Sequence, residues 1–289
     1  MRRPFRQVDV FSTEPLCGNP LAVVHQAEGL SAEEMQRFAR WTNLSETAFL
    51  LAPTDPAADY RVRIFTLARE LPFAGHPTLG SCHAWLEAGG DPRRSDLVVQ
   101  ECAAGLVPLR RRHGDGRGGA SLAFAAPPVV RGGPVDESYL AHVATVLGIG
   151  RDEILDAQWV DNGPGWVAVL LADAEAVLAV EPDFARHAGE GSLEIGLVGF
   201  HPEGSGCAYE VRAVFGDERG GMIEDPVTGS LNASLAQWLL AAGRVRAPYV
   251  ASQGTRLGRE GRVRIEQDAD GTVWVGGATV TYVTGEVEL

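Results

Sequence analysis

Apolar positions along the chain follow two rhythms: short runs with every second residue apolar, and a few stretches with apolar residues three or four apart. The first predicts strands and the second amphipathic helices. SAEEMQRFARW (31–41) has the helical spacing behind Ser31, a residue suited to cap it, and ESYLAHVATVLG (137–148) has a similar pattern. NLSETAFLLA (43–52) and NGPGWVAVLLA (162–172) each pass from an asparagine-led turn into a short apolar strand. YRVRIF (60–65) and YEVRAV (209–214) share Tyr-x-Val-Arg with strand alternation. Downstream of each, PTLGS (77–81) and PVTGS (226–230) lead into helical segments that close in Trp-Leu, at Trp85 and Trp238.

Side by side, these matches form an internal repeat. Two related modules follow, with a boundary near residues 126–135, where prolines and glycines break any regular element. The first half is 1–127 and the second 128–289, the C-terminal strand being free to return to the first. Pseudo-twofold modules let equivalent loops converge on one cleft, a common place for ligands.

Composition narrows the chemistry. At 289 residues and 45% hydrophobic, the chain can fill the cores of two domains, and 35 glycines suit many short strands. A formal charge of −13 argues against a nucleic-acid partner, which needs concentrated cations. All 25 cationic residues are arginine, so neither a lysine Schiff base nor a phosphate-loop lysine exists. Cys17, Cys82, Cys102 and Cys207 are scattered without a CxxC pair, so reduced thiols are expected rather than zinc ligands or a disulfide framework. The start lacks the apolar segment of a secretory signal, and no apolar run is long enough to span a bilayer. A cytoplasmic protein without a membrane partner is expected. His76 and His83 share a helix-face spacing but have no third ligand, so no metal is expected.

AGHPTLG (74–80) and EDPVTGS (224–230) each place a proline at an expected first helical position, where a missing N–H costs little. Such helix starts expose unpaired N–H groups and a positive dipole end, and can hold a carboxylate without lysine or arginine. That role falls mainly to Gly229 and Ser230. Taken singly, either segment reads equally as an ordinary helix cap, Glu46 as a loop or cap acid, His76 as a cap histidine, and Asp225 as an Asp-Pro turn residue.

Together, NLSETAF (43–49), ELPFAGHPTLG (70–80) and EDPVTGS (224–230) resemble the signature segments of the PhzF-like phenazine-biosynthesis family, and VDVFSTEPLCGNPLAVV (8–24) is similar to its opening strand pair. The resemblance implies an α/β (α+β), diaminopimelate-epimerase-like fold. Two pseudo-symmetric halves would each wrap a curved, mostly antiparallel sheet or barrel around a central helix. It implies a cofactor-independent isomerase, in which Glu46 moves a proton between carbons of a small carboxylated ring of the dihydro-hydroxyanthranilate type. Such a carboxyl needs a proton affinity above the usual pKa of about 4.3. His76 and Asp225 would meet the substrate's amine or hydroxyl, Ser45 and Gly75 would line it, and Thr228, Gly229 and Ser230 would hold its carboxylate. A homodimer without cofactor or metal is implied.

Racemases of the same fold use two apex thiols. The aligned positions here, approximately Ala74 and Pro226, carry none, and NGPGW, taken as the counterpart of the Asn-x-x-Glu turn, offers no second acid. Leu231 and Asn232 replace the alanine-led continuation frequent in the family and would reshape the pocket. An amino-acid racemase or epimerase, and a non-catalytic small-molecule-binding protein, stand as rival expectations.

Overall fold

The computed structural model describes residues 1–112, 121–183, 193–216 and 222–289. The first part of the chain forms β1 (Arg2–Val10), β2 (Asn19–Val24), α1 (Ala32–Thr42), β3 (Thr47–Leu51), β4 (Tyr60–Phe65), β5 (Glu70–Leu71) and α2 (Gly75–Glu87). Strands β6 (Leu97–Cys102), β7 (Gly105–Arg112) and β8 (Ser121–Ala125) follow. Then come β9 (Arg131–Pro134), α3 (Glu137–Leu147), β10 (Asp156–Asp161), β11 (Trp166–Leu170), α4 (Ala174–Ala179), β12 (Glu194–Phe200), β13 (Tyr209–Gly216) and β14 (Met222–Asp225). The last elements are α5 (Gly229–Ala241), β15 (Tyr249–Gln253), β16 (Gly261–Gln267), β17 (Val273–Gly277) and β18 (Thr279–Glu288). They make two compact units, Met1–Ala125 with Val275–Leu289, and Ala126–Trp274. Residues 275–289 belong to the first unit, where β18 pairs along β1. Among the described residues no helix is long and apolar enough to cross a membrane.

In the N-terminal unit the ladder runs β18–β1–β2 antiparallel, β2–β3 parallel, β3–β4 antiparallel, β4–β6 parallel and β6–β7–β8 antiparallel. This sheet curls around α2, which touches β1, β2, β3, β4, β6, β8 and β18. A helix enclosed in this way must be apolar or small on every side, and Gly75–Cys82 is buried throughout. Gly80 permits the closest approach: a Cβ there would lie 2.6 Å from Leu21 Cδ2 and 3.0 Å from Val8 Cγ2. Helix α1 covers the sheet's other face, burying Met35, Phe38 and Ala39 against Val24, Phe49 and Phe65. Its start is a capping box, in which Ser31 Oγ accepts the Glu34 N–H and the Glu34 carboxylate accepts the Ser31 N–H, worth about 1 kcal/mol. Asn43, left-handed at φ 57°, ends the helix and turns the chain toward Glu46.

The C-terminal unit repeats the order: β9–β10–β11 antiparallel, β11–β12 parallel, β12–β13–β14 antiparallel, β13–β15 parallel and β15–β16 antiparallel. Its enclosed helix is α5, whose Leu231 fills the space that a Cβ on Gly196 would need, 2.4 Å away. The opposite face is packed by Val143 and Leu147 of α3 and Val177 of α4 against Ile195, Leu197 and Val214.

The ladders correct the repeat's register. With Tyr60–Phe65 matched to Tyr209–Val214, β3 corresponds to β12 and β2 to β11, because each parallel step precedes the Tyr-x-Val-Arg strand. The sequence pairing of 43–52 with 162–172, and of 31–41 with 137–148, is therefore wrong; α4, not α3, holds α1's place in the order. Every buried strand carries a similar apolar run, so composition could not discriminate among them. Thr47 pairs with Phe65 and Ile195 with Val214, which makes Glu194 the counterpart of Glu46. NGPGW is not that counterpart, and the position does hold an acid.

The helix starts shift as well. Ile64 pairs with Leu71 and Ala213 with Asp225, and three residues later come the N-caps, Ala74 and Thr228. Pro226 therefore precedes the cap, Pro77 is the third helical residue, and the apex counterpart of Ala74 is Thr228 rather than Pro226. Proline fits anywhere in a first turn, whose N–H groups have no intrahelical acceptor, so it could not mark the first residue. Trp85 and Trp238 are likewise offset by one position, and Trp85 stacks on Tyr60 at 5.2 Å.

Candidate active site

Glu46 stands on the last residue before β3, its side chain 17% exposed, facing the second residue of α2. Its Oε2 lies 3.5 Å from His76 Nε2. His76 is buried, and burial pushes its imidazole down to about 3. The positive end of α2 opposes protonation in the same sense. At neutral pH the ring is uncharged, so its 3.5 Å approach to Glu46 is not an ion pair. The other ring nitrogen, Nδ1, lies 3.3 Å from the amide nitrogen of Asn19, a fully buried residue opening β2. Asn19 is itself set by a tight turn: Gly18 N–H donates to Asp9 Oδ2 at 2.8 Å, and a Cβ on Gly18 would lie 2.3 Å from the Val10 carbonyl oxygen. Ser45 is exposed beside Glu46, and Gly75 is the buried first residue of α2.

In the C-terminal unit Asp225, Thr228, Gly229 and Ser230 gather at the start of α5. The Thr228 hydroxyl donates to Asp225 Oδ2 at 2.6 Å instead of capping the helix. Gln253 holds this turn from below. Its Oε1 accepts the Thr228 N–H at 3.0 Å and the Asn232 amide at 2.7 Å, while its Nε2 donates to the Asp225 carbonyl at 3.1 Å. Helix geometry leaves the N–H groups of Gly229, Ser230 and Leu231 without intrahelical acceptors, so the turn can receive an anion. Trp166 Nε1–H donates to Ser230 Oγ at 3.1 Å, and the Asn162 amide donates to the Ser230 carbonyl at 2.9 Å.

Sequence reasoning missed Asn19, Trp166, Asn162 and Gln253. Only the small-residue turns CGN and NGPG hinted that something is held there, without naming a partner. Other features are structural. Glu70 makes a paired bridge to Arg63 at 2.7 Å, and His83 meets Thr281 at 3.1 Å and Glu87 at 3.3 Å. Burial pushes the Cys82 thiol far up, leaving it inert packing. Among the described residues no three His, Cys, Asp or Glu side chains cluster as metal ligands. A depression of about 420 Å³ lined by Thr54, Asp55, Glu101 and Leu106 is no rival site, since the Glu101 carboxylate is taken up by the Thr54 and Asp55 N–H groups at 2.6 and 3.0 Å.

Two units of one topology, each a curled sheet around a central helix whose first turn carries polar groups, define a diaminopimelate-epimerase-like isomerase. More narrowly, the chain belongs to the PhzC-PhzF family, phenazine biosynthesis-like proteins, matched over residues 8–285. It is 34% identical to antisense-enhancing sequence 1 of Schizosaccharomyces pombe, covering 98% of this chain and 97% of that one. It is 32% identical to a trans-2,3-dihydro-3-hydroxyanthranilate isomerase of Pseudomonas aeruginosa, with 98% of each chain covered. The crystal structure of a PhzF-family protein from Bacillus anthracis shares the fold at a TM-score of 0.84 and 22% identity, covering 100% of both chains. A hydroxyproline epimerase from Agrobacterium vitis shares it more distantly, at 0.60 and 15%, covering 99% of this chain and 92% of that one.

Proposed function

We propose that this isomerase moves a proton on a small, carboxylated ring of the dihydro-hydroxyanthranilate type, with Glu46 as general acid and base. The carrying observation is the half-buried Glu46 carboxylate facing a neutral His76. A base that works near neutral pH must hold a proton more firmly than free glutamate. A cation beside it would weaken that hold more than the neutral His76 ring does. Glu46 takes a proton from one ring carbon, the electron pair shifts through the adjoining double bonds, and the proton returns to another carbon. No electron or group leaves the substrate, so the step requires no cofactor. His76 and Asp225 meet the ring's amine or hydroxyl, with Ser45 and Gly75 beside it, and Thr228, Gly229 and Ser230 hold a carboxylate through the start of α5. The named activity of the P. aeruginosa relative supports this substrate class. We place the protein in the cytoplasm and, as its family resemblance implies, take it to be a homodimer.

Purified protein mixed with trans-2,3-dihydro-3-hydroxyanthranilate should change that compound's ultraviolet spectrum. Glu46→Gln should fold and bind but isomerise at least about a hundredfold more slowly. Full activity in that variant overturns the role of Glu46; no change with the wild type overturns the substrate.

A further inference from the structure

We infer that Asn19 is a positioning residue that fixes His76 as the Nε2–H tautomer, with its one proton aimed at Glu46. The amide nitrogen of asparagine carries hydrogens and no lone pair to offer, so Nδ1, 3.3 Å away, must be the accepting nitrogen. The single proton of a neutral ring then sits on Nε2, which faces a carboxylate oxygen at 3.5 Å. A carboxylate beside Nε2 favours the same tautomer. Protonating Nδ1 would set two donors against each other inside a buried contact, so Asn19 also opposes the imidazolium. Asn19 is fully buried, and its strand is held to β1 by the Val10 pairing.

The C-terminal unit is arranged alike. Ser230 is the second residue of α5 as His76 is of α2, and its donor, Trp166, opens β11 as Asn19 opens β2. In each unit, an N–H from the strand preceding the parallel step orients the side chain at the second helical position. The role of Asn19 rests on the reading of Glu46 as the base, but its tautomer is measurable without substrate.

Long-range proton–nitrogen correlation spectra of ¹⁵N-histidine-labelled enzyme report which ring nitrogen carries the proton. Wild-type His76 should show a protonated Nε2 and a bare Nδ1 at neutral pH. Asn19→Asp, which accepts instead of donating, should protonate Nδ1, and Asn19→Leu should give a mixture of tautomers. Isomerisation should fall on the order of a hundredfold in Asn19→Asp. A wild-type ring protonated at Nδ1 overturns the inference, as does a tautomer unchanged in both variants. Should neither variant fold, the wild-type spectrum decides. Altered tautomers with unchanged isomerisation would preserve the inference and sink the catalytic reading.

Discussion

Ser230 shows how one hydrogen bond fixes the direction of a side chain's remaining donor. The indole of Trp166 can only donate, so it occupies a lone pair of the Ser230 hydroxyl and leaves the hydroxyl hydrogen to point elsewhere. Beside the N–H groups of Gly229 and Ser230, that hydrogen adds a third donor to the turn. Trp166→Phe keeps the ring and deletes the donor. It should weaken binding of a carboxylated ring about fivefold, near 1 kcal/mol, as should Ser230→Ala. Calorimetric titration of the double variant should show little further loss, because both changes remove one device. Glu46 and His76 were legible as residue types because their motifs are local. Asn19 was not, because its partner is 57 positions away and only folding brings the two together.

At the scale of elements, the central helices are the sensitive parts. α2 has no solvent face along its first two turns, so its small residues are set by neighbouring strands rather than by helix propensity. Gly80→Val would drive a branched side chain into Leu21, Val8 and Val10 and should cost at least about 2 kcal/mol, read as a lower urea midpoint. A loss below 0.5 kcal/mol, roughly that of an ordinary surface change, would show that β1 and β2 yield. Helix α1 was readable in advance because Ser31 and the apolar spacing behind it lie within one short window. The start of α5 was misplaced because proline is accepted on either side of a cap.

Across the whole molecule, buried histidines link folding to pH. His76 titrates near 3 when folded and near 6.5 when unfolded, so between these values only the unfolded chain binds its proton. Its contribution is complete above the unfolded value and is lost as pH falls through that window, by about 1.4 kcal/mol per pH unit. His25, lowered to about 4 by burial and then by Arg6, acts with the same sign over a narrower range. Urea midpoints should therefore fall from pH 6.5 to 5, and His76→Asn should flatten that fall; an equally steep fall in the variant would assign it to other groups.

Sequence alone determined that strands and helices alternate in a repeated order, that lysine chemistry is absent, and that the motifs of one isomerase family carry Glu46, His76 and the α5 turn. Those properties lie in short windows, where periodicity and motif spacing act. Tertiary structure decided that β18 returns to β1, that β3 answers to β12, that Glu194 stands in the place of Glu46, and that Asn19 and Trp166 orient the helix starts. Apolar runs are interchangeable as patterns. Which ones pair is settled only when distant segments must satisfy each other's hydrogen bonds and fill the same core.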